Sequence, residues 1–363
     1  METSDAPPKQ QEADESIQGF VNLDISTSSQ LIASNKNATN VAYRVTGIPI
    51  DYKQKKVKAL LQTVLQLDKA GNSVKLRSIA ISPNRKTKVA TVCFSCRPTL
   101  LPPRAGGEWH FPIPEDNTGN SSADDDDDII PQEQIITVDS HFKGITVLRS
   151  FSKLEEHKID IIAISGLGGH AFGSFKARDG QHMWLCDSLP RDLPGAQIMI
   201  YGYDTQLHGS KSFQDLESLA SSLRASIAAQ RTFGSTNAKS RAVPLVFIAH
   251  SLGGLIVKEA IIQMEKDKKH QDLLESIYGG LFFGVPSLGM EIASLIPMVK
   301  CQPNQALLHT LGKESQLLRN QSRDFPKAFA SKESEIFCYY ETEMSRTAIL
   351  KTMDGKWMGR FAS

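Results

Sequence analysis

The stretch from Leu245 to Ala260 restricts the possible folds more than any other part of the chain. Residues 245–249 form an unbroken apolar run with the length of a buried strand. The residues after Ser251 predict a helix, with Leu255, Ile256, Ala260 and Met264 near one face. Between them lies Ala249-His250-Ser251-Leu252-Gly253, a close variant of the G-x-S-x-G elbow pattern. The spacing has a steric cause. A serine on a sharp strand-to-helix turn takes a strained backbone conformation, and only small residues two before and two after let strand and helix pass closely. Ala249 departs from the consensus glycine by one methyl group. Such a turn exposes the Ser251 hydroxyl at a helix N-terminus, where backbone N–H groups favour a developing oxyanion.

Length and charge bound the rest. At 363 residues the chain exceeds a usual single domain. Its 41 basic and 40 acidic residues offer no electrostatic case for nucleic acid or an anionic membrane as main partner. Five scattered cysteines point to a reducing compartment rather than a disulfide framework. The first ten residues lack the apolar core of a signal peptide, and no window of about 20 uninterrupted apolar residues predicts a transmembrane segment. The expectation is an intracellular protein, cytoplasmic, with no cofactor and no metal.

Four segments are expected. Residues 1–39, rich in Ser, Gln, Asn and Asp, read as a disordered tail. Residues 40–98 read as a small α+β domain. A strand over 41–48 is followed by a helix that Asp51 can cap, with Val57, Leu60, Leu61, Val64 and Leu65 at helical spacing; strands over 73–82 and 88–96 complete it. This β-α-β-β order suggests part of a ferredoxin-like sandwich. Tyr43-Arg-Val-Thr-Gly-Ile-Pro49 resembles the first strand of an RNA-recognition motif, but 88–95 lacks the Gly-aromatic pair that would stack bases, so no nucleic acid is expected. A protein partner is the expected ligand of this domain. Cys93 and Cys96 form a lone CxxC on a predicted strand, without the second pair a zinc site needs. Residues 99–132, with Pro102-Pro103, Gly106-Gly107 and the aspartates Asp124 to Asp128, read as an acidic linker.

Residues 133–363 alternate strand and helix. Two short strands (135–138, 145–148) lead into 159–165, a run broken only by Asp160 and suited to a central parallel strand. Gly166-Leu167-Gly-Gly-His170 follows. It lacks the lysine of a phosphate loop, and glycines there also let backbone N–H groups approach a reacting oxygen. A helix near 183–189, a strand over 197–203 and a helix opened by Ser212 and Asp215 come next, the last with Phe213, Leu216, Leu219, Leu223 and Ile227 on its buried side. After the elbow, a strand over 279–284, helices over 291–298 and 304–318 and a final strand over 335–340 are predicted.

This order resembles an α/β-hydrolase, a mostly parallel sheet with helices on both faces. Ile164-Ser-Gly-Leu-Gly-Gly-His170, Met183-Trp-Leu, Asp187-Ser-Leu-Pro-Arg-Asp-Leu-Pro194, Tyr201-Gly-Tyr-Asp204, Ile248-Ala-His-Ser-Leu-Gly-Gly254 and Phe282-Phe-Gly-Val-Pro286 narrow the likeness. Together they resemble the lipase-like family of the serine-active-site-containing protein and the GPI inositol-deacylase-like domains that precede NACHT or ankyrin regions in fungal signalling proteins. The resemblance covers about residues 134–355. It implies Ser251 as nucleophile, an oxyanion hole from the Leu252 N–H and a loop N–H near Leu167, and Glu341 as the acid, with Glu343 as substitute. It also implies a lipid or acyl-ester substrate, and peripheral association with mitochondria or the endoplasmic reticulum.

Two departures stand out. Ser165 occupies a position where related loops often begin with histidine. The family's catalytic histidine follows one further strand, and no histidine lies beyond His309. The hydrolase domain is thus expected to be C-terminally truncated, without its last strand and histidine. His250 should point away from the nucleophile, His170 should order its loop, and His270 and His309 fall in a chain order the fold does not use. Asp204, at a strand end, is expected to brace the adjacent loop. Two readings follow: a serine esterase acting through an acyl-serine, impaired by the missing base, or a hydrolase-fold module kept for interaction and signalling.

Overall fold

The computed structural model of the chain describes residues 41–67, 73–103, 107–114, 134–177, 180–234, 243–329, 334–342, 345–351 and 357–362. Strand β1 (Ala42–Pro49), helix α1 (Gln54–Val64) and strands β2 (Val74–Ile81) and β3 (Thr87–Phe94) follow the expected β-α-β-β order. β4 (Glu108–Pro112) and β5 (Ile135–Asp139) then join the same sheet, whose order is β2-β3-β1-β5-β4. This moves two boundaries. β4 lies in the stretch read as linker, and β5 in the stretch read as the start of the hydrolase domain. The cause is pairing with β1, where Arg44 faces Asp139 and Val45 faces Val138, burying Ile136 and Val138 completely. β5 thereby fills the place beside β1 that a ferredoxin-like sheet gives its last strand. Val57, Leu60 and Leu61 of α1 pack on this sheet against Val45, Val92, Tyr43 and Trp109. Tyr43 meets Phe94 edge-on at 5.5 Å, so these aromatics are spent on packing rather than displayed. α1 begins after Lys53 with no side-chain cap; Asp51 pairs with Lys56 at 3.9 Å instead.

The second sheet holds β6 (Gly144–Arg149), β7 (Ile159–Ile164), β8 (Ala196–Gly202), β9 (Leu245–His250), β10 (Ile277–Phe283) and β11 (Glu335–Tyr339) in the order β11-β10-β9-β7-β8-β6. β6 runs antiparallel to β8, and the other neighbours are parallel. β7 sits at the centre, with Ile161, Ile162 and Ile164 at most 2% exposed; burying each contributes about 1.5–3 kcal/mol. Asp160 is also buried, and its carboxylate accepts from His157, Gln197 and Arg231, the partners a buried charge requires.

The helices are α2 (Trp184–Asp187), α3 (Leu189–Asp192), α4 (Leu216–Gly234), α5 (Leu252–Lys266), α6 (Gln271–Ser276), α7 (Ile296–Val299), α8 (Gln305–Thr310) and α9 (Gln316–Phe329). Asp215, not Ser212, caps α4: its Oδ1 accepts the Ser218 N–H at 2.8 Å. Helix formation therefore starts three residues later than the Ser212 reading implies, and Phe213, outside the first turn, is 85% exposed rather than buried. The segments read as single helices over 291–298 and 304–318 are shorter or interrupted. The second stops at Thr310, and Gly312 just beyond it lies against Gly289, which has φ +85° and where a Cβ would come within 2.5 Å of the Gly312 carbonyl oxygen. β12 (Ser345–Lys351) and β13 (Trp357–Ala362) pair with each other as an antiparallel two-stranded sheet. Residues 1–40 and the five aspartates lie outside the described residues.

Candidate active site

Ser251 stands between the last residue of β9 and the first of α5, with φ 51° and ψ −124°. A left-handed φ on a non-glycine residue costs on the order of 1–3 kcal/mol and persists only where neighbours over-determine it. They do so here. The Ser251 N–H donates to the Phe283 carbonyl of β10 at 2.9 Å, and its own carbonyl accepts the Gly254 N–H at 3.0 Å. Gly253 explains the sequence spacing: a Cβ there would lie 2.6 Å from the Ser165 carbonyl oxygen and 2.8 Å from that of Ile164. Ala249 is fully buried, so its extra methyl is accommodated.

The loop after β7 approaches from the other side. A Cβ on Gly166 would lie 2.7 Å from the Ser251 Cβ, so only glycine lets this backbone come so near Ser251. Gly168 takes φ +68° and donates its N–H to the Thr205 carbonyl at 2.7 Å. Tyr203 Oη donates to the Ser165 carbonyl at 2.8 Å, and Thr205 Oγ1 donates to the Gly169 carbonyl. Burial pushes the Tyr203 phenol pKa well up, which keeps it a donor. The end of β8 thus braces the glycine loop at three points. Leu167 follows Gly166 directly, and Leu252 opens α5, where its N–H has no intrahelical acceptor. Ser165 Oγ is buried without a partner among the described residues. Asp204 bonds within its own loop, accepting from the Gln206 N–H at 3.1 Å and Ser210 Oγ at 3.2 Å.

His170, His270 and His309 have partners of their own. His170 Nε2 donates to the Ser140 carbonyl at 2.9 Å, while Nδ1 accepts the N–H groups of Phe172 and Gly173 at 3.2 and 2.9 Å. Both ring nitrogens are used, which excludes it as a base for Ser251 in this arrangement. Desolvation pushes its pKa down, opposed by the Ser140 carbonyl and Asp139. His250 is exposed, and its Nδ1 would lie 3.0 Å from a Cβ on Gly166. Desolvation lowers its pKa and the Glu341 charge raises it. His270 bonds Asp267, and His309 sits on α8 beside Gln305. Among the described residues no histidine hydrogen-bonds Ser251.

Glu341 follows β11 at the same end of the sheet. Its Oε1 lies 3.5 Å from where a Gly284 Cβ would be, just beyond β10, and the histidine its charge reaches is His250. Glu343 falls outside the described residues. Among the described residues no cluster of three His, Cys, Asp or Glu side chains could hold a metal, and no helix is long and apolar enough to cross a membrane. Cys93 is buried and Cys96 exposed.

A strand-turn-helix serine, a glycine loop from the adjacent parallel strand and an acid after the strand two places on share one end of a mostly parallel sheet. The six-stranded sheet and its helices have the α/β-hydrolase fold. A family model matches part of the same region. Residues 161–332 match the family described as "Putative serine esterase (DUF676)". Protein SERAC1 of Bos taurus is 25% identical over 224 residues, covering 56% of this chain and 33% of that protein. Its Homo sapiens counterpart is 24% identical over 201 residues, covering 51% and 30%. The matched region therefore spans about a third of these relatives. Among solved structures, lipase BlEst2 of Bacillus licheniformis aligns at 15% identity and TM-score 0.35, over 53% of this chain and 70% of that one. Phospholipase PlaB of Legionella pneumophila aligns at 14% and 0.33, over 50% and 38%. The family match and the α/β-hydrolase geometry support a lipase- or esterase-like serine hydrolase domain.

Sequence reasoning missed what holds His170. Its partners, Ser140 and Phe142, lie in the joint between the two sheets, about 30 positions away, and no local pattern marks them.

Proposed function

We propose that the second domain is a serine carboxylic-ester hydrolase, of lipid or acyl-ester type, working through an acyl-serine at Ser251. The observation that carries this reading is the backbone of Ser251, strained at the apex of the turn with Gly166 against it. In the proposed reaction Ser251 Oγ attacks the ester carbonyl, and the N–H groups of Leu252 and Leu167 receive the oxyanion. Glu341 is the acid that orients a base, and the alkoxide leaves with the base's proton. No described histidine is in place as that base, so this chain by itself turns over slowly, since a serine hydroxyl is a weak nucleophile until its proton is taken.

The missing base also favours a second reading, a hydrolase-fold module used for binding and signalling, with the five-stranded sheet facing a protein partner. One experiment separates the two. p-Nitrophenyl ester turnover and fluorophosphonate labelling are measured for the full chain and for Ser251→Ala, with and without added imidazole as an external base. Labelling that is slow, dependent on Ser251 and accelerated by imidazole supports the esterase. Labelling absent in both proteins, or unaffected by Ser251→Ala, overturns it in favour of the binding module.

A further inference from the structure

We propose that the five-stranded sheet is a working part of the active site: through Arg44, Asp139 and Phe142 it positions His170, and His170 positions the glycine loop beside Ser251. The role of that loop in catalysis rests on the reading above; the positioning itself does not.

The chain of contacts is continuous. Arg44, on β1, is 11% exposed at its side chain and bonds Asp139 Oδ2 through Nε at 2.6 Å. Its Nη1 donates to the Lys143 carbonyl at 2.8 Å and to Thr146 Oγ1 at 3.0 Å, so one guanidinium grips both the end of β5 and the start of β6. The other Asp139 oxygen accepts the Phe142 N–H at 2.8 Å. Phe142 is fully buried and held at φ 53°, a conformation that a bulky residue adopts only when its surroundings impose it. Its carbonyl lies against Gly202 of β8, where no Cβ would fit. Its ring meets the His170 imidazole edge-on at 5.2 Å and stacks on Phe172 at 5.8 Å.

His170 closes the path. Ser140 offers a carbonyl, which only accepts, so the proton sits on Nε2. Nδ1 is then the acceptor for two backbone N–H groups at the far end of the loop, those of Phe172 and Gly173. A serine-hydrolase loop is useful only if its N–H groups are aimed before the substrate arrives. Here the near part of the loop is braced by Tyr203 and Thr205 after β8, and its far end is held from the five-stranded sheet.

The arrangement predicts a pH response with a definite sign. A proton on Nδ1 would face two N–H donors, so the held form is the neutral imidazole. The charged groups facing it are Asp139, which favours protonation, and His141, which opposes it, with Arg44 behind Asp139. Because the folded-state pKa is depressed, the unfolded chain takes up the proton first. The stabilisation is therefore complete above about 6.5, the ordinary histidine value, and declines as pH falls below it.

The test is amide exchange of residues 166–173 in the full chain, corrected for intrinsic rates, comparing wild type with Arg44→Met, His170→Gln and Arg77→Met. Arg77 ties β2 to the hydrolase domain elsewhere, through the Gln181 carbonyl and Asp187, and serves as control. Arg44→Met should raise exchange in 166–173 by about tenfold or more while leaving 245–266 unchanged, and Arg77→Met should leave 166–173 unchanged. Between pH 7.5 and 5.5 wild-type protection of 166–173 should fall, whereas His170→Gln, which keeps a donor but does not titrate, should stay flat. Equal effects of Arg44→Met and Arg77→Met, or the same pH response in His170→Gln, would overturn the proposal. Should Arg44→Met fail to fold, the His170→Gln pH comparison decides alone. Loss of Ser251 labelling with normal loop protection would count against the esterase reading and not against this one.

Discussion

On the nucleophile side of the site, β7, β9 and the first turns of α5 are buried, and Ser251 is held between the Phe283 carbonyl, Gly166 and the close crossing at Gly253. On the side of the proposed acid, β11 is the outermost strand of its sheet among the described residues; Phe337 is 50% exposed, Tyr339 48% and Tyr340 84%. The first half is over-determined by packing and can store backbone strain. The second rests on one neighbouring strand and a stacked pair, Phe283 and Tyr339, at 4.7 Å. In the proposed reaction the first half would bind and polarise an ester, but proton transfer needs both halves, because triad members act as a unit rather than as independent increments.

The contrast can be broken most forcefully at Gly253. Gly253→Val should drive a side chain into the Ser165 and Ile164 carbonyls and cost about 3 kcal/mol or more, read as a fall in the urea midpoint with loss of Ser251 labelling. A normal midpoint would mean that the crossing is loose. Next comes a matched pair on the two sides. Ile162→Ala in β7 should cost about 2–5 kcal/mol, and Phe337→Ala in β11 no more than about 0.5 kcal/mol. Equal costs would erase the difference between the halves.

Ser251→Gly sharpens the comparison from inside. Relief of the left-handed backbone should stabilise the fold by about 1 kcal/mol while abolishing labelling, a gain that Ser251→Ala should not show. The smallest effect belongs to Glu341→Gln. It should change Ser251 labelling by less than about threefold, since an orienting acid contributes little without its base. It should also lower the His250 pKa in an NMR titration, because the carboxylate now raises it. A loss of labelling on the order of 10⁴-fold would show instead that Glu341 already serves a working base.

Much of this was legible in the chain. The buried runs at 159–164 and 245–249, the small residues around Ser251 and the helical spacing of α1 and α5 each reflect local sterics or periodicity, which act over a few residues. Legibility failed where two local signals competed, or where the deciding partner was remote. Phe213 fits a helical period, yet the cap bond at Asp215 leaves it outside α4 and in solvent. β5 reads as a leading strand of the hydrolase sheet, yet β1 offers it a buried register more than 90 positions away.

The sequence by itself determined the elbow, because a strained serine between strand and helix requires small neighbours at fixed offsets, whatever the rest of the chain does. It likewise determined the mostly parallel sheet, since apolar runs without alternation have to be covered on both faces. Only the tertiary structure decided the work of His170. An imidazole directly after a glycine pair can serve as base or brace with the same local sequence. The choice fell to the Ser140 carbonyl and the Phe172 and Gly173 N–H groups, which occupy both nitrogens, and to Arg44, 95 positions from the aspartate it holds.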